Sequence, residues 1–364
     1  MKKFSKFCLT IALPGAFLLH SAAGYAGNPD RAGQAGATEL LINPWARSSG
    51  WAGANSSSCR GLESMFLNVA GTAFTKRTEI MFAHTNYLMG TGIGINSFGF
   101  TQKVGATGVI GLGIMSMDFG DIMITTVDKP EGGIGTFSPQ YINMGLSYSK
   151  AFSDNIYGGM TIRGITEALS DVQARGLALD AGIQYVTGKY DNIHFGISLK
   201  NVGPRMRFRG DGLSFRGTVP TTGTTMTVEQ RSQDFELPSL VNIGAAYDFF
   251  IPNDTSAKKI HRLTVAGNFV SNSFQRDQFC LGVEYGFKSF LMIRAGYMYE
   301  KGIGNISDDA SKAPRYTCYT GPTAGFTLEI PMNKVKGSTF GLDYSYRATN
   351  PFKGVHCFGA RINL

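Results

Sequence analysis

The sequence predicts an all-β chain: a transmembrane antiparallel β-barrel of about 14 strands with an N-terminal segment packed in its lumen. Three observations carry this expectation. The chain has 47 glycines, 12% aromatic residues and only 16% charged ones, a balance that suits pleated strands better than helices. Apolar and polar residues alternate at period two over most of its length. The long gaps between the alternating stretches also fall on one side of the implied barrel, as they do when short turns face the periplasm and long loops face outward.

Residues 1–26 carry Lys2, Lys3 and Lys6, then an apolar run over 7–19, then small residues ending Gly24-Tyr25-Ala26. This three-part layout is that of a secretory signal peptide, and it is set aside from the fold. Cys8 precedes most of the apolar run and is too early to be a lipidated cysteine. Beyond the signal no apolar run approaches the roughly 18 residues a spanning helix needs. A membrane location therefore requires a closed barrel, since open sheet edges are not tolerated in hydrocarbon. The expected location is the outer membrane, crossed many times.

Residues 27–78 alternate poorly and contain Asn43-Pro44-Trp45, Ser48-Ser49-Gly50, a polar run over 55–58 and a short helical stretch over 62–67. They are expected to form a compact plug-like segment packed against the barrel, which occupies 79–364. From Glu79 the strands arrive, at 79–87, 91–102, 104–117, 139–151, 156–169, 175–187, 192–201, 237–250, 259–271, 276–287, 289–300, 322–331, 338–348 and 354–364. Most are close to the roughly 9 to 11 residues of a tilted transmembrane strand. The alternation is cleanest where Val241, Ile243, Ala245, Tyr247 and Phe249 oppose Asn242, Gly244 and Asp248, and it continues to the end, with Phe358, Ala360, Ile362 and Leu364 sharing a face. Between 92 and 117 both faces are apolar. The long gaps, 118–138, 202–236 and 301–321, follow the third, seventh and eleventh strands.

The formal charge of +8 falls to +5 once the three signal lysines are removed, and no Lys/Arg cluster marks a nucleic-acid surface. Cys59, Cys280, Cys318 and Cys357 have no metal-ligand spacing; Cys280 and Cys357 share the polar face and leave a disulfide open. The polar face also carries Arg163, Asp180, Lys200, Asp248, Arg262, Glu284, Arg294, Glu329, Asp343, Arg347 and Arg361. They read either as a charged path for a solute or as paired charges bracing the lumen wall, and mixed signs favour bracing. None of His84, His194, His261 and His356 sits in a nucleophile or metal motif, so no enzyme activity and no cofactor are expected. The glycines over 90–94 and 108–113 are placed within strands, with no following helix to cradle a phosphate. The 202–236 loop brings together Arg205, Arg207, Arg209 and Arg216, a basic candidate for partner binding.

Residues 37–54, ATELLINPWARSSGWAGA, lead to Asn68-Val69-Ala70-Gly71 just ahead of the first strand. This resembles the PorV/PorQ family of the Bacteroidetes, itself similar to the FadL-type fatty-acid transporters of the outer membrane. Ala46, Arg47, Gly50, Gly53 and Ala54 match the family's small-residue stretch. Asn68, Ala70 and Gly71 match its Asn-Pro-Ala-Gly motif, with Val69 standing where the family has proline. The resemblance implies a fourteen-stranded barrel that serves the type IX secretion system, binding the translocon barrel or the C-terminal signal domains of its cargo through the long loops. Its rival is a FadL-like channel for hydrophobic small molecules. Outer-membrane lipid is expected as surroundings in either case.

Overall fold

The computed structural model describes residues 27–251, 260–305, 314–333 and 337–364; the signal peptide expected at 1–26 lies outside them. Fourteen strands form the wall: β1 (Thr78–Asn86), β2 (Gly94–Val104), β3 (Gly108–Asp118), β4 (Gln140–Ala151), β5 (Ile156–Leu169), β6 (Val172–Thr187), β7 (Ile193–Val202), β8 (Leu240–Ile251), β9 (His261–Asn272), β10 (Gln278–Phe287), β11 (Leu291–Glu300), β12 (Tyr319–Asn333), β13 (Ser338–Thr349) and β14 (Val355–Asn363). Each pairs antiparallel with its neighbours in sequence, and β14 returns to β1 from Glu79↔Asn363 to Asn86↔His356. That last ladder closes the barrel and leaves no open edge.

Strand positions agree with the period-two reading to within a few residues. One correction concerns Gly90 and Gly92: both lie in the turn before β2, with φ of +105° and +79°, where a backbone in the left-handed region favours glycine. The described turns after even strands, 105–107, 152–155, 188–192 and 288–290, are short, whereas 119–139, 203–239 and 301–318 follow β3, β7 and β11. Long loops therefore gather at one end. Both ends of the barrel chain, at β1 and β14, lie at the other.

The outward face is an apolar belt. Leu281 is 66% exposed, Leu146 61% and Ile183 60%. Tyr148, Tyr185, Tyr247 and Tyr285 ring the belt near the short-turn end, and Phe279, Tyr297 and Tyr299 stand near the long-loop end. A continuous surface of this kind would aggregate in water, but it suits hydrocarbon. The chain is a multi-pass barrel of the outer-membrane type. Placing a charge in the belt tests this: Leu281→Arg should cost about 2–4 kcal/mol of unfolding free energy in lipid vesicles. Leu281→Ala should cost clearly less.

The opposite face is polar and buried, and residues 45–75 lie against it. They form a helix at Ala46–Gly50, a second at Ser64–Leu67 and a 3-10 turn at Val69–Phe74. Helices this short have little stability alone, so tertiary bonds must fix them. Those bonds come from strands all round the sheet. Gln184 on β6 donates to the Ser56 and Cys59 carbonyls at 3.2 Å each; Ser198 on β7 donates to Leu67 O at 2.7 Å; Asn268 on β9 donates to Gly53 O at 3.2 Å; and Thr323 on β12 donates to Gly50 O at 3.0 Å. Gly99 and Gly111 leave room for Leu62 and Met65, whose apolar contact explains why β2 and β3 are apolar on both faces.

Candidate functional site

The inner wall is braced by cross-strand charge pairs. Arg163 Nε on β5 reaches Asp180 Oδ2 on β6 at 2.5 Å, and its Nη2 donates to Met65 O at 2.5 Å. Glu284 on β10 receives Arg294 at 2.5 Å from β11 and also Arg262 from β9. Arg361 on β14 meets Glu329 at 3.1 Å, and Asp248 on β8 accepts from Thr264 and faces His194 Nε2 at 3.2 Å. Asp343 accepts from Thr327. Buried ions need such partners, because removing a charge from water costs several kcal/mol.

Lys200 and Arg347 break this pattern. Neither has an acidic partner among the described residues. Lys200 is 3% exposed, and its ammonium stands 3.7 Å from the Phe66 ring centre. Its nearest candidate counter-ion, Asp180, is taken by Arg163 and by the Asn201 N–H at 2.8 Å. The Arg347 guanidinium stacks 3.4 Å over Tyr319 and touches Met298 Sδ at 3.1 Å, and its buried Nε has no hydrogen-bond partner. Tyr319 in turn bonds the Tyr87 hydroxyl at 3.3 Å.

Both cations face one cavity of about 430 Å³ in the long-loop half of the barrel. Its roof is the Thr38–Leu41 turn with Ile42, and its floor includes Phe66 and Leu67. Ile93, Met117, Val270 and Met298 make much of the wall apolar. A cavity with a greasy body, the Glu39 side chain in its roof and two cations with no acidic partner among the described residues can hold an amphiphile by burial and by charge together. Two further hollows lie toward the short-turn end. One of about 180 Å³ is lined by Arg47, Arg60, Arg262 and Arg294 with Glu63 and Glu284; one of about 600 Å³ opens among Lys76, Arg77, Arg361 and Glu329. Those are polar vestibules.

Asn68, Ala70 and Gly71, the residues that carried the resemblance, pin the segment to the wall. Asn68 accepts from the Ala70 N–H at 3.2 Å, and its amide donates to Ile183 O at 3.1 Å and Ile197 O at 3.4 Å, bridging β6 and β7. Ala70 is fully buried. A Cβ on Gly71 would lie 2.2 Å from Cys59 O, so only glycine fits. The sequence flagged Lys200 and Arg347 only within a longer set of polar-face charges. Phe66, Tyr87, Met298 and Tyr319 carried no signal at all.

The arginine loop, 203–239, is partly paired within itself. Arg205 meets Glu236 at 2.6 Å and Arg207 meets Asp234 at 3.6 Å. Hydrogen bonds and charge from Arg31 and Arg205 hold the Glu236 carboxyl below the usual range. Arg209 and Arg216 are exposed, the latter on a ribbon that pairs Ser214–Thr218 with Thr225–Glu229. The loop also completes the wall above β7, where Phe208 and Arg209 pair with Ala174 and Gln173 of β6. All four cysteines are free: Cys280 and Cys357, left open as a pair, sit on β10 and β14, which are not neighbours. Burial pushes the Cys59 thiol up to about 12, so it stays protonated. His84, His261 and His356 lie on the outward face.

No protein-family model and no curated protein matches the chain. Solved structures do. The Pseudomonas putida toluene transporter TodX aligns with a TM-score of 0.51 at 13% identity, over 88% of this chain and 97% of that one. A Pseudomonas aeruginosa FadL homologue aligns at 0.50 and 12%, over 87% and 98%. The fold is that of the FadL-type outer-membrane barrels. At such low identity the FadL-type likeness is one of fold, and the function has to be argued from the cavity.

Proposed function

We propose that this chain is an outer-membrane transporter that gathers hydrophobic small molecules into the cavity beneath its long loops, with residues 45–75 acting as a lumenal plug. The observation that carries this reading is the amphipathic cavity, in which Lys200 and Arg347 have no acidic partner among the described residues while Ile93, Met117, Val270 and Met298 offer apolar surface. The preferred substrate is an apolar body with a carboxylate-type head. The head supplies the counter-ion that the wall withholds from both cations, and the body is buried at roughly 25 cal/mol per Å² of apolar surface. Replacing both cations, as Lys200→Met with Arg347→Met, should weaken binding of a long-chain carboxylate roughly tenfold to a hundredfold, as loss of hydrogen bonds to a charged group does. Binding of the matching alcohol should change little. Equal losses for both ligands, or no loss for either, would count against the assignment.

A second reading, a type IX secretion component that receives cargo through the loops, is favoured by one feature. The 214–229 ribbon is exposed and carries Phe215, Met226 and Val228 on one face. Its free edges suit strand addition by a partner. Detergent extraction of tagged protein separates the readings: co-purified lipid or fatty acid supports transport, and a translocon barrel or cargo signal domains support secretion.

A further inference from the structure

We propose that signal removal after Ala26 creates a specific N-terminal lock, in which the freed α-ammonium of Gly27 pairs with the Asp277 carboxylate at the long-loop end of the barrel. The signal expected at 1–26 closes on the small residues Gly24-Tyr25-Ala26, and cleavage after Ala26 would make Gly27 the first residue of the processed chain. In the structure Gly27 is buried, and its nitrogen donates to Asp277 Oδ2 at 2.8 Å. The seat is shaped for this residue. A Cβ on Gly27 would lie 2.6 Å from Asp277 Oδ1 and 2.9 Å from both Asp277 N and Gln275 O, so any other side chain collides with the 273–277 turn.

The surrounding contacts position that nitrogen. Asn28 N–H donates to Asn272 O at 3.3 Å, and the Asn272 amide donates to Arg276 O at 2.8 Å, holding the turn that presents Asp277. Arg31 stacks 4.2 Å from the Phe274 ring centre and reaches Glu236 at 2.9 Å, while Gly36 N–H donates to Glu236 O at 3.0 Å. Two loops thus fasten the stretch that leads directly into the cavity roof at Thr38–Leu41.

Hydrolysis of the Ala26–Gly27 bond consumes one water. Its hydroxyl goes to the Ala26 carbonyl carbon, and the resulting carboxyl gives up its proton, so that the glycine nitrogen carries three hydrogens and a positive charge. Before cleavage that nitrogen is a neutral amide with one hydrogen. Afterwards it is an ammonium facing a carboxylate, and a charge-assisted bond is roughly twice as strong as a neutral one. Capture of an N-terminal amine in a backbone niche is a recurring recognition mode.

The test uses the full protein purified from its membrane. Intact mass and N-terminal sequencing should give Gly27 as the first residue. Acylation of the α-amine in the native barrel should be at least about tenfold slower than in the isosteric variant Asp277→Asn, and slower by a similar factor than in heat-unfolded wild type, the scale set by losing a hydrogen bond to a charged group. A different first residue would overturn the proposal. So would native wild-type amine that labels as fast as the unfolded chain, a comparison that stands even where the variant does not fold.

Discussion

Glu284→Ala is expected to cost about 3–5 kcal/mol of barrel stability, the usual cost of leaving a buried ion without its partner. Glu284 is 5% exposed and receives Arg294 and Arg262 from the two strands beside it. Removing its carboxylate leaves Arg294, 4% exposed, with only Thr327 at 2.7 Å among the described residues to satisfy it. Water entering the 180 Å³ hollow beside these residues offsets part of the loss, which places the effect at the lower end of the range. The measurement is the urea midpoint of refolded barrel in vesicles. A double change of Glu284→Leu with Arg294→Met should recover much of the stability, since an apolar pair of similar volume needs no counter-charge. Recovery would identify the unpaired ion as the source of the loss.

Gly296→Val should be nearly as disruptive, for a steric reason. Gly296 on β11 faces Gly282 on β10 in register, and Trp51 lies across both. A Cβ on Gly296 would sit 2.4 Å from the Trp51 carbonyl carbon and 2.5 Å from its oxygen, and backbone cannot yield as a flexible side chain can. Trp51 is 4% exposed, and the nearby Gly50 carbonyl accepts from Thr323, so the Ala46–Gly50 helix must move as a unit. The overpacking costs about 1–3 kcal/mol. It should also make residues 45–75 sensitive to protease while the strands stay protected. Protease resistance equal to wild type would show that the segment does not depend on this contact.

The strands were legible because the bilayer imposes a period of two on them. Phe340, Leu342, Tyr344 and Tyr346 point outward, and Gly341, Asp343 and Ser345 point inward, as the alternation required. β2 and β3 were ambiguous because their inner faces meet Leu62 and Met65, apolar side chains from a distant part of the chain. Within residues 45–75 the short helix expected over 62–67 was legible and lies at Ser64–Leu67, but the rest of the segment's conformation was not. Its hydrogen bonds span more than a hundred residues, and local propensity carries no trace of them. The site was half legible for a similar reason. Lys200 and Arg347 read as two more polar-face charges, and only the cross-strand geometry separates them from paired Arg163 or Arg294. In the same way Arg205 and Arg207 read in sequence as part of a basic loop, but the fold brings Glu236 and Asp234 to them. The secretion role came from the resemblance and has the exposed 214–229 ribbon as its structural support, whereas the amphipathic cavity favours transport.

Binding of a long-chain carboxylate to purified protein, measured by calorimetry beside the same chain with an alcohol head, tests the central claim most directly. The account predicts saturable binding of one carboxylate per barrel, weaker binding of the alcohol, and loss of that preference in the Lys200→Met, Arg347→Met protein. Absence of saturable binding, or a preference untouched by those two changes, would contradict it.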